Sequence, residues 1–100
     1  MKAVFNGQTV AEASKEELIY IEGNWYFPES SLNKELLTPS ETQYFCPWKG
    51  ECTYYDVVVD GQTAKDGAFN YASPKDSAIE RVKKDFSKHY AFWNGVEVTE

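Results

Sequence analysis

A mainly β domain with one C-terminal helix is what the sequence predicts, on three observations. Three Trp, seven Tyr and six Phe stand in a chain of 100 residues that has a single Met, and aromatic side chains suit a pleated, half-buried surface. Two Asn-Gly pairs, Asn6-Gly7 and Asn94-Gly95, each lie between apolar stretches. This is the pattern of type I′ hairpin turns, whose two central residues need positive φ. After Ser73-Pro74 the apolar residues recur at helical spacing, which alternating strands do not give.

The elements follow in chain order. Asn6-Gly7 joins Lys2–Phe5 to Gln8–Ala13, and Glu22-Gly23-Asn24 joins Leu18–Ile21 to Trp25–Phe27. Residues 31–37 offer one or two helical turns, closed by Thr38-Pro39. A long strand from Glu51 to Val59 ends at the turn signal Asp60-Gly61. Ser73 is the expected N-cap and Pro74 the first helical residue. Ala78, Ile79, Val82 and Phe86 then form the apolar face of a helix running to about Phe86, with Lys75, Glu80, Lys83 and Lys84 facing away. Asn94-Gly95 joins Tyr90–Trp93 to Val96–Thr99 as a last hairpin, expected to pack on that helix. No linker or repeat divides the chain, so residues 1–100 are expected to form a single domain.

The central run Tyr44 to Tyr55 carries the chemistry. With Pro47 to Gly50 as a four-residue hairpin loop, Cys46 stands opposite Glu51 and shares a face with Tyr44, Thr53 and Tyr55. Cys52 then points to the other face with Phe45 and Tyr54, a register that disfavours a Cys46–Cys52 disulfide. Two Cys and the one His, His89, give at most three ligands for zinc, one short of a structural site. No metal site is expected, and the sequence leaves any cofactor unknown.

Sixteen acidic residues against ten basic ones give a net charge of −6, which speaks against sequence-independent nucleic-acid binding. No apolar run approaches the ~20 residues of a membrane span, and the N-terminal stretch lacks the pattern of a signal peptide. A cytoplasmic protein with reduced thiols is therefore expected.

Several strings carry a family resemblance: Phe5-Asn6-Gly7, Val10-Ala11-Glu12 with Ser14, Tyr26-Phe27-Pro28, Leu36-Leu37 with Pro39-Ser40, Cys46-Pro47-Trp48-Lys49-Gly50-Glu51 with Tyr54-Tyr55, Ala68 with Tyr71 and Pro74, Ala78-Ile79, and Ala91-Phe92-Trp93. On these residues the chain resembles domain-of-unknown-function family 427, small bacterial proteins of about this length. The resemblance implies tent-like antiparallel sheets with one helix and says little about activity. It also departs from the family pattern, with Cys52 in place of a small Ala, Phe69 in place of Trp and Ala72 in place of Pro. The family has carried a nucleotidyltransferase-like label. Here no Gly-Ser phosphate turn precedes a close Asp-x-Asp pair, and Asp56 and Asp60 lie ~13 Å apart along a strand.

The residues point first to a small-molecule binding domain with a cleft beside the Cys46–Glu51 hairpin. Lys49 would supply charge to an anionic ligand, Trp48 and Tyr71 would wall it, and Glu51 or Tyr55 would fix its orientation. An alternative is a thiol- or metal-dependent enzyme, one acting on nucleotides among the options, with Cys46 as nucleophile activated by Lys49 and Glu51 as proton acceptor. A third is a protein-interaction module using exposed aromatic edge strands. Against each stands a plain structural reading: Cys46 as a buried apolar residue, Lys49 as a solvated turn lysine, and the acidic run Glu12, Glu16, Glu17, Glu22 as solvated surface.

Overall fold

Four two-residue turns reverse the chain, each with both residues at positive φ: Asn6-Gly7, Glu22-Gly23, Asp60-Gly61 and Asn94-Gly95. The computed structural model describes all residues 1–100. Between the turns run nine strands: β1 (Lys2–Phe5), β2 (Gln8–Glu12), β3 (Ile19–Ile21), β4 (Asn24–Pro28), β5 (Leu37–Cys46), β6 (Gly50–Val59), β7 (Gln62–Asn70), β8 (His89–Phe92) and β9 (Glu97–Thr99). One helix, α1 (Asp76–Val82), lies between β7 and β8. The strands form two sheets, ordered β2-β1-β9 and β3-β4-β8-β7-β6-β5, with every strand pairing antiparallel.

The six-stranded sheet is covered on both faces, because neighbouring residues of its strands enter different cores. Phe27, Ala68, Tyr90 and Phe92 join one cluster with Ala3, Val10 and Val96 of the smaller sheet's side. Tyr26, Phe69 and Ala91 join a second cluster with Ala78 of α1 and with Phe86. This is the period-2 alternation of a strand buried on both sides. Edge-to-face contacts tie each core together: Phe27 to Phe92 at 5.6 Å in the first, and Tyr26 to Phe69 at 5.9 Å in the second. Each such pair adds about 1 kcal/mol beyond area burial.

Four expectations are corrected. Asn94-Gly95 makes the turn but no hairpin: β8 pairs with β4 and β7, while β9 crosses to pair with β1. The aromatic residues beside it divide accordingly, Tyr90 and Phe92 packing in the first core and away from α1. The helix is short and starts later than Ser73-Pro74, with Lys75 as its N-cap. The Lys75 N–H is already given to the carbonyl of Lys49, 2.9 Å away, which holds that stretch extended. Lys83 ends the helix by turning left-handed at φ 67°. Phe86 still reaches full burial, from the loop beyond. Residues 31–37 form no α-helix but two separate 3-10 turns at Glu29–Ser31 and Lys34–Leu36. Between them the Asn33 N–H bonds the Val10 carbonyl at 2.7 Å, and Leu32 bridges to Ala11. Pro39 does not close a helix. It lies in β5, an edge strand, opposite Tyr55 and at the start of the irregular stretch that runs to Gln43, a setting in which a strand tolerates proline.

The fourth correction is the hairpin register. Cys46 pairs with Gly50, Phe45 with Glu51 and Tyr44 with Cys52, so the loop is the three residues Pro47, Trp48 and Lys49. A one-residue slip moves every side chain to the other face. Cys46 and Cys52 therefore share a face, and both belong to the second core. Both thiols are free.

Candidate functional site

The tip of the β5–β6 hairpin is held against the segment that leads into α1. Lys75 reaches back twice, its N–H to the Lys49 carbonyl and its ammonium to the Pro47 carbonyl at 2.7 Å. Gly50 makes this approach possible: it sits at φ +116°, and a Cβ there would lie 3.3 Å from the Ser73 carbonyl oxygen. Positive φ at the end of a three-residue loop is the usual geometry for such hairpins.

That clamp buries Lys49, which is only 7% exposed. Its Nζ lies 4.9 Å from the ring centre of Tyr71 and 5.2 Å from that of Trp48, within the range of cation–π attraction. The same Nζ donates a hydrogen bond to Glu22 Oε1 at 2.7 Å. The pair is lopsided, since the Lys49 side chain is 9% exposed and that of Glu22 54%. The Lys49 hydrogen bond holds the Glu22 carboxyl below its ordinary value, with Trp48 and Arg81 acting in the same direction.

Beside this pair opens a cleft of about 320 Å³, lined by Tyr20, Ile21, Glu22, Trp48, Arg81 and Val82. The guanidinium carbon of Arg81 stands 4.6 Å from the Trp48 ring centre. Two cations thus approach one indole at the cleft. Glu22 and Arg81 were not among the sequence-derived candidates. Each left a trace there: Arg81 is the chain's one arginine, and Glu22 occupies a turn position where the other three glycine turns have Asn or Asp.

Behind Lys49, on the core side, lie Tyr71 and the two cysteines. Burial pushes the Cys52 thiol up, and likewise the phenols of Tyr54, to about 12, and of Tyr71. The Tyr26 hydroxyl is buried among them without a hydrogen-bond partner. Cys46 is 6% exposed and packs with aromatic side chains, away from the open cleft.

The structure therefore brings Cys46, Trp48, Lys49 and Tyr71 together and sets Glu51 and Tyr55 apart. Glu51 is exposed and pairs with Phe45, off the face that carries Cys46. Tyr55 packs against the first core. There it lines a separate cleft of about 250 Å³ with Leu32, Lys34, Leu37, Pro39 and Tyr90.

Away from both clefts, Asp66 sits left-handed at φ 54° within β7. It accepts hydrogen bonds from the hydroxyls of Ser40 and Thr42, and its own N–H goes to Asp56 Oδ1. Lys65 lies 3.5 Å from Asp56. This network fastens the irregular stretch of β5 between Pro39 and Gln43 to the sheet. No three His, Cys, Asp or Glu side chains group so as to hold a metal ion, and no helix is long and apolar enough to cross a membrane.

No curated protein matches the chain. A family model described as a domain of unknown function, DUF427, matches residues 1–100. The match spans every strand of both sheets and the Cys-Pro-Trp-Lys-Gly-Glu hairpin alike, and the chain belongs to the DUF427 family.

Proposed function

We propose that this domain binds a small anionic ligand in the cleft between the β5–β6 hairpin tip and α1. The observation that carries the reading is Lys49, a buried cation whose carboxylate partner reaches it from the solvent side. Desolvated between two rings, an ammonium attracts an anion more strongly than a solvated one does. Arg81 supplies a second charge at the mouth, and Trp48 with Tyr20 forms the apolar wall. Tyr71 backs Lys49 from the core and fixes where its charge sits. The free, buried cysteines fit the reducing cytoplasm, the compartment this reading assigns to the protein.

The test is a thermal-shift panel of carboxylates, phosphate esters and nucleotides on the native protein and on Lys49→Met. A ligand at about a hundred times its dissociation constant adds ~2.7 kcal/mol, roughly 10 °C or more for a domain of this size. At least one anion is expected to produce such a shift, and Lys49→Met to abolish it while remaining folded. A flat panel, or a shift that survives in Lys49→Met, would reject the reading.

A further inference from the structure

We infer that the ligand of this cleft carries a phosphomonoester, and that the Glu22 carboxylate is a tethered occupant of its place which the ligand displaces. The inference rests on the anion-binding reading above and adds to it the ligand class and a built-in competitor.

Charge favours a phosphomonoester. Lys49 and Arg81 both approach Trp48, and Glu22 is the one anion lining the cleft. With Glu22 in place, the three charges sum to one positive. With its side chain swung out, Arg81 lines the opening and the Lys49 ammonium, which lies behind the lining, loses the carboxylate that covers it, so two positive charges are left to one ligand. A phosphomonoester carries about −1.5 to −2 at neutral pH and matches that pair, where a monocarboxylate leaves one cation unpaired.

Access favours displacement of Glu22. Glu22 is more than half exposed, whereas its partner is buried. The carboxylate therefore sits on the side from which a ligand arrives, and side-chain rotation alone removes it. The turn that holds Glu22 favours displacement as well. At φ +50° Glu22 has the conformation that Asn6, Asp60 and Asn94 adopt in the other glycine turns. Asn and Asp tolerate that conformation better than other side chains, and here Asn6 and Asn94 donate to the backbone carbonyls of Val59 and Lys65. Glu gains no such help, and its longer side chain is spent on Lys49. Tyr20, Ile21 and Val82 line the rest of the cleft and offer apolar surface to the organic part of the ester.

The probe is phenyl phosphate, with benzoate and inorganic phosphate as comparators. Each is titrated by calorimetry into the native protein, Glu22→Gln and Arg81→Gln. Gln keeps an oxygen that accepts the Lys49 hydrogen bond, so Glu22→Gln is expected to stay folded, which a thermal melt checks. Phenyl phosphate is expected to bind the native protein at least fivefold tighter than either comparator. Glu22→Gln should tighten it a further fivefold or more, and Arg81→Gln should erase its advantage over benzoate. In the native protein the Glu22 and Gly23 amide resonances should move on binding, a readout independent of any variant. Equal binding of benzoate and phenyl phosphate, or no gain in Glu22→Gln, overturns this inference, and the broader reading is then judged separately by the Lys49→Met panel. Absence of phenyl phosphate binding to native protein and Glu22→Gln alike also overturns it, and the broader reading is then judged by the panel alone.

Discussion

A lysine at a hairpin tip ordinarily keeps its ammonium in water and lays its stem along the protein. Lys49 inverts this because the tip is pinned to the Ser73–Lys75 segment and two aromatic rings close around the charge. Its neighbour Cys46 illustrates the opposite outcome. The corrected register turns that side chain into the second core beside Cys52, where it is 6% exposed. A nucleophilic thiol has to be reachable and held as thiolate, and burial raises the Cys52 thiol instead. In the native state, therefore, neither thiol is expected to react with a disulfide reagent over minutes, and both should react promptly in guanidinium. Rapid native-state labelling confined to Cys46 would contradict this and favour the thiol-enzyme alternative.

At the scale of elements, Gly50 is where the hairpin's register and the site meet. Its φ of +116° and the 3.3 Å approach of the Ser73 carbonyl oxygen leave little room for a side chain. Gly50→Ala is expected to cost roughly 1–3 kcal/mol, a fall in Tm of at least about 4 °C, and to weaken any anion that depends on Lys49. An unchanged melt would mean that the tip is not held as described. The same hairpin shows what the sequence could disclose. Asn6-Gly7 and Asp60-Gly61 announce local turns, and the strands on either side of each pair with one another. Asn94-Gly95 announces an equally real turn, but a turn dictates only the path of a few residues. The partners of β8 and β9 are strands far away in the chain. The loop length at Pro47–Gly50 was open to the same error, because Gly50 accepts positive φ equally well inside a four-residue loop or after a three-residue one. Of the site, Trp48, Lys49 and Tyr71 were legible as an aromatic and cationic group. Glu22 and Arg81 were not, since only the docking of β3, β4 and α1 around the hairpin tip makes them its neighbours.

Across the whole molecule, titrating groups bound the pH range of stability on both sides. Burial holds His89 below its ordinary 6.5. Hydrogen bonds hold Glu22, Glu29 and Asp66 below theirs: from Lys49, from Lys34 and Tyr90, and from Ser40 and Thr42, respectively. As pH falls, the unfolded chain takes up these protons before the folded one, so stability declines from about pH 6.5 and faster through the carboxylate range. On the alkaline side burial raises Cys52 above 9.0 and Tyr26, Tyr54, Tyr71 and Tyr90 above 10.0. There the unfolded chain loses protons first, and stability falls as pH rises past about 9. Denaturant midpoints measured across this span should trace a plateau between the two declines. The Glu22 contribution can be separated by running Glu22→Gln alongside. Its carboxylate is half exposed, so the effect is modest, but its sign is fixed. Any stability that the native protein has over Glu22→Gln through this charge exists above the ordinary carboxylate value and shrinks as the pH drops below it. A difference that persisted unchanged into acid would show that Glu22 acts through shape or turn geometry, and the carboxylate could not then be the occupant that a phosphomonoester replaces.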